Sequence, residues 1–229
     1  MDPVDLTHRV ESGMPVYPGD PAVSLEPHAT MDADGYRVTR LSLGTHAGTH
    51  VDAPAHTEPD GATLDEFAVE EFRFDATFVD LAGLDAREPI TPEMLPEGVD
   101  DVEAGTGVDG AADGLDTDLL VIRTGWGEYW GDQRYLDHPY LTPAAARRIA
   151  AAGCSVGLDT LNPDPTPTDR AGTDEPDGVP AHRELLGSGN LVFENLRLST
   201  GLPEQFVVRA YPLRVDADGA PVRAVAASE

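Results

Sequence analysis

The chain has 229 residues and 24.3 kDa, with 40% hydrophobic and 25% charged residues; that supports a full core and excludes wholesale disorder. Forty-two acidic residues stand against 15 basic ones, all Arg, for a net charge of −27 and a pI near 4.3. This excludes nucleic acid and anionic membrane surfaces as partners, because both are held by clustered Lys and Arg.

The opening MDPVDLTHRV lacks the basic and apolar regions of a secretory leader. No apolar run reaches the roughly 18 residues of a membrane span. The expected location is the cytoplasm. Apolar alternation and β-branched runs predict strands near 23–28, 36–43, 77–81, 118–124, 155–160, 190–196 and 206–214. Between the third and fourth, the stretch 96–118 is acidic and poor in large apolar groups, and reads as a solvated insertion. A helix is predicted over Thr142 to Ala152, with Thr142 as N-cap, Pro143 at the first position and Gly153 as a stop. Cys154 follows it; one cysteine excludes an intramolecular disulfide framework, and this one reads as buried filler. Residues 162–179, rich in Pro, Asp and Thr, read as a second insertion, either a solvated loop or a lid. A short helix is predicted over Pro180 to Leu186, ended by Gly187. The fold class is mixed, strand-rich α/β, with no linker that divides residues 1–229 into two domains.

The charge needs a cause of its own. Self-repulsion is long-ranged in dilute buffer, whereas at molar salt the screening length falls to about 3 Å. Surplus acid with no Lys therefore predicts a halophilic protein.

Three of the seven histidines fall in His46-Ala-Gly48-Thr-His50-Val-Asp52-Ala-Pro54-Ala-His56. The four-residue spacing of His46 and His50 would suit a helix face, but Gly48, Pro54, Thr49 and Val51 oppose helix. In extended backbone the even-numbered positions share one side. A straight strand would spread His46 and His56 over roughly 33 Å, whereas metal–ligand bonds are about 2.0–2.2 Å. The segment must therefore curl, and Gly48 and Pro54 are the positions that allow it. Imidazoles with a carboxylate are ligands for Zn²⁺, Mn²⁺ or Fe²⁺; the alternative is a set of unrelated surface or core histidines. Farther on, Glu194 interrupts the apolar run Leu191 to Leu196, twelve residues after His182. A buried carboxylate there needs a cation or a strong partner, while an edge strand would leave it exposed.

The run HAGTHVDAPAH resembles the HxGTHxDxPxH signature of the cyclase-like metal-dependent hydrolases, a family that includes bacterial kynurenine formamidases (arylformamidases) and isatin hydrolases. DLTHRVESGMPVYPGDP and AHRELLGSGNLVFENL are similar to that family's N-terminal and distal segments. The resemblance implies a swivelling β/β/α architecture in one domain and a homodimer. It implies His46, His50 and Asp52 as metal ligands, His182 and Glu194 as the distal pair, and His56 as the acid/base residue. One or two divalent ions, Zn or Mn, are the implied cofactor. The implied reaction is hydrolysis of a small amide, N-formylkynurenine to kynurenine plus formate, by water whose pKa a bound ion lowers toward ~7. Tyr17, in PVYPGDP, could stack on an aromatic substrate or simply pack its loop. The alternatives are a lactam or lactone hydrolase, a cyclase or dehydratase on the same site, or a metal-binding module without turnover. A Ser-His-Asp hydrolase is disfavoured, since no G-x-S-x-G elbow occurs.

Overall fold

The computed structural model describes residues 2–99 and 117–228. Its strands are β1 (Val4–Asp5), β2 (Ser24–Ala29), β3 (Val38–Ser42), β4 (His50–Asp52), β5 (Arg73–Asp80), β6 (Pro89–Ile90), β7 (Leu119–Arg123), β8 (Tyr140–Leu141), β9 (Ser155–Leu158), β10 (Val192–Glu194), β11 (Gln205–Arg209), β12 (Gly219–Pro221) and β13 (Val225–Ala227). The α-helices are α1 (Met31–Asp34), α2 (Pro143–Ala151) and α3 (Pro180–Leu186). Nine strands form one sheet in the order β1-β13-β11-β5-β7-β9-β10-β4-β12. Its centre, β5 to β10, is parallel, and the strands on either side are antiparallel. This is the strand-rich α/β class read from the sequence.

The two-residue period of β7 sorts the core. Leu119 and Val121 face a cluster with Phe74, Phe193 and Phe206, while Leu120 and Ile122 face α2 and α3 through Ile149, Leu185 and Leu186. Burial on both faces is what a central parallel strand requires. Helix α2 starts as predicted: the Thr142 hydroxyl accepts from the Ala145 amide at 3.2 Å, with Pro143 in the first turn. Cys154 is buried, and burial, helped by the Asp118 charge, pushes its thiol up to about 11, so it is no nucleophile.

The two predicted insertions are partly core. Most of 96–118 lies outside the described residues, but Val99 at its start is fully buried and its carbonyl accepts from Arg148 of α2 at 2.5 Å. Within 162–179, only the part from Pro167 onward is the surface expected. Residues 162–166 are buried because their polar groups satisfy one another and the start of α3. The outer part is tied down by Arg87, which pairs with Glu175 and donates to Thr168 at 3.2 Å, and by Arg170, paired with Asp137 at 3.0 Å.

Candidate metal centre

Register puts three of the predicted residues together. β10 runs antiparallel to β4 with Glu194 opposite His50 and Val192 opposite Asp52. Val51 and Phe193 point into the cluster with Phe74, so alternation sends His50, Asp52 and Glu194 to the other face. Helix α3 covers that face and adds His182. All four side chains are buried.

His46 arrives by a different route. It precedes β4, in a turn where Gly48 holds φ at +68°, a conformation that costs a side-chain-bearing residue strain. Pro54 opens a 3₁₀ turn, Pro54–His56, which carries His56 to the same end. The expected curl thus falls at both expected positions. The His46 ring lies 4.1 Å from that of His56, and the His56 ring 5.4 Å from that of His182.

The donor atoms converge on Asp52. Its Oδ1 is 2.7 Å from His46 Nδ1 and 3.1 Å from His50 Nε2, and its Oδ2 is 3.5 Å from His182 Nε2. Glu194 lies 3.2 Å from His50 Nε2 and 3.0 Å from His182 Nε2. Backbone and second carboxylates fix which nitrogens face inward. His50 Nδ1 donates to the Gly48 carbonyl at 2.8 Å, and His182 Nδ1 to Asp164 at 2.7 Å, leaving each Nε2 aimed at the cluster. His50 Nε2 and Asp52 Oδ2 are buried without a hydrogen-bond partner. Two buried acids, three imidazoles and two buried atoms without a hydrogen bond suit a divalent cation.

The electrostatics agree. Burial opposes charge on every member, yet the Asp52 and Glu194 carboxylates outweigh it and raise His50 well above the usual imidazole value. Burial likewise pulls down on His182, and Asp164, Asp52 and Glu194 together raise it well above that value. Against its own burial, Asp52 is held well below the carboxylate range by the nearby His50, His182 and His46 rings.

Two acids at the site are not legible in the sequence. Asp164 accepts from the Ala181 and His182 amides as well as from the His182 ring, so it caps α3 and aims His182 at once. Asp218 receives His46 Nε2 at 2.9 Å and His56 Nδ1 at 3.2 Å. Both are single Asp residues in an acid-rich chain, with no spacing to mark them.

The cluster does not close on itself. It forms one wall of a cavity of about 240 Å³ lined by Tyr17, Asp20, His46, His56, Leu161, Asn162, Val179, His182 and Glu194. Tyr17 both lines this space and packs against the cluster built on Trp126, Tyr135 and Leu161.

Comparison with known proteins follows the same lines. The cyclase family model, described as "Putative cyclase", matches residues 4–165. A kynurenine formamidase of Salinibacter ruber is 31% identical over 226 residues, 97% of this chain and 95% of its own length. That of Geobacillus thermodenitrificans is 27% identical over 226 residues, 96% of this chain and 95% of its own length. Among solved structures, an isatin hydrolase bound to the product analogue thioisatinate superposes with a TM-score of 0.81 at 24% identity, covering 98% of this chain and 91% of that one. Isatin hydrolase A from Labrenzia aggregata gives 0.78 at 26% identity, covering 98% and 92%. With the histidine-rich segment inside the matched region and the relatives aligned over nearly their whole length, the chain belongs to the cyclase family.

Proposed function

We propose that this chain is a metal-dependent hydrolase of small amides, with N-formylkynurenine, cleaved to kynurenine and formate, as the leading substrate. The observation that carries the reading is the open wall: five donor residues meet beside a cavity that also holds an unburied histidine. A purely structural metal site is enclosed by protein ligands, whereas a catalytic one keeps a position for water or substrate. The named relatives support the choice of substrate.

In this reading His46, His50, Asp52, His182 and Glu194 hold one or two divalent ions, Zn or Mn, since nitrogen and oxygen donors suit both. When bound, the ion supplies a Lewis acid for the carbonyl and makes a water more acidic. His56 takes a proton from that water through Nε2 and returns one to the leaving aryl nitrogen. Asp164 holds His182 in place, and Tyr17 offers its ring face to an aromatic substrate. The solved-structure likenesses favour a second reading on the same residues, opening of a lactam such as isatin.

Metal analysis combined with assays on N-formylkynurenine, isatin and simple lactones in high salt separates the readings. One or two equivalents of divalent metal, with the highest kcat/KM on N-formylkynurenine, is the expected result. A preference for isatin selects the second reading, and protein that binds no metal and turns over nothing overturns both.

A homodimer and a salt requirement complete the proposal. The hairpin β2–β3 exposes Val38 and Leu41, and its connection exposes Met31 and Tyr36; a projecting apolar arm of this kind suits a second subunit. One KCl series tests both. The melting temperature is expected to climb from dilute buffer to molar KCl, and sedimentation to give about twice the chain mass. Full stability in dilute buffer sinks the salt reading, and a monomer at molar KCl sinks the dimer.

A further inference from the structure

We propose that Asp218 is the positioning residue of this site: one carboxylate oxygen bridges His46 and His56, orients both rings and fixes the tautomer of His56. The proposal rests on the roles given to those histidines above. Oδ2 of Asp218 lies 2.9 Å from His46 Nε2 and 3.2 Å from His56 Nδ1. An ionised carboxylate only accepts hydrogen bonds. Both nitrogens therefore carry hydrogen; the His46 ring, whose Nδ1 lies 2.7 Å from Asp52 Oδ1, is held between two carboxylates, and the His56 ring keeps one nitrogen with a free lone pair. For His56 it is Nε2, the atom that must accept a proton if this histidine is the base. One oxygen thus orients a ligand ring and prepares a base.

The backbone around Asp218 is built for this placement. β12 pairs with β4 so that Gly219 stands opposite Asp52, and one step earlier the Asp218 carbonyl accepts from the Ala53 amide at 2.9 Å. The Thr45 hydroxyl donates to the other carboxylate oxygen at 3.4 Å. Gly219 clears the ground for the ring: a Cβ there would lie 2.7 Å from His46 Cε1 and 3.0 Å from the Val51 carbonyl. The Asp218–Gly219 pair therefore grips His46 with a carboxylate on one residue and an emptied position on the next.

Asp218 is 40% exposed, so its replacement does not open the core. The test compares Asp218→Ala, Asp218→Asn and Asp218→Glu by metal content, by kcat and KM separately, and by the nitrogen-15 shifts of the His56 ring. Asp218→Ala and Asp218→Asn are expected to keep their metal and their KM within about twofold, while kcat falls about 10–100-fold. In both, the His56 ring is expected to lose its single Nδ1–H tautomer, and Asp218→Glu to recover part of kcat and of the tautomer. The nitrogen shifts are read without substrate, so they decide the matter even if no panel compound is hydrolysed. Unchanged tautomer and kcat in Asp218→Ala overturn the proposal. Loss of metal from Asp218→Ala also overturns it, and makes Asp218 a ligand with His46 and His56, whose donor atoms lie within 4.8 Å of one another.

Discussion

Replacing His56 with Ala is expected to leave the metal content unchanged and to lower kcat by about 10²–10⁴-fold, the usual contribution of a general acid–base group. The two outcomes separate because His56 stands apart from the five convergent donors. It sits one 3₁₀ turn beyond β4, its side chain is 29% exposed, and it faces the cavity. Among the described residues its polar partner is Asp218. Nothing in the buried cluster loses a neighbour within hydrogen-bonding distance when its ring is removed. Steady-state kinetics alongside metal analysis checks this. Turnover equal to that of the parent chain refutes the assignment, and loss of metal would move His56 into the ligand set.

Asp52→Ala is expected to act on both metal and fold. Among the described residues Asp52 is the one carboxylate near all three of His46, His50 and His182, so its removal should abolish metal binding and bring hydrolysis to background. It also leaves the buried His50 and His182 rings, and the partly exposed His46 ring, without the carboxylate they share. Breaking a buried ion cluster from one side costs about 3–5 kcal/mol. For a chain of this size that corresponds to a fall of roughly 6–20 °C in melting temperature, at about 2–4 °C per kcal/mol. Asp52→Asn keeps the shape and removes the charge, and is expected to lose the metal with a smaller drop. Calorimetry and metal analysis read both effects; a protein that retains stoichiometric metal after Asp52→Ala has its centre elsewhere.

The site residues that could be read in the sequence are those whose spacing carries a geometric rule. The even-numbered run from His46 to His56, with Gly48 and Pro54 placed to bend it, implied a curled segment before any coordinates. Glu194 stood out because a carboxylate inside an apolar strand needs a reason. Asp164 and Asp218 carry no such rule. Asp164 matters because its loop folds under α3, and Asp218 because β12 pairs with β4, and neither event leaves a local trace among 42 acidic residues. The same physics governs the fold. The eight-residue β5 shows alternation at Phe74 and Ala76 and β7 shows an unbroken apolar run, whereas β1, β12 and β13, at two or three residues each, are too short to show either. Residues 162–166 read as surface in the sequence because polar composition usually means solvent, whereas in the fold it means a self-satisfied network.

The place of β12 at the rim of the sheet, against β4, has a consequence for biosynthesis. His46 leaves the ribosome 172 residues before Asp218. The nascent chain therefore carries its histidines for most of translation without the acid that orients them, and pairings this distant form slowly. Enzymatic competence should appear as one of the last events of maturation, so a translation product released early would be inert even with every histidine in place.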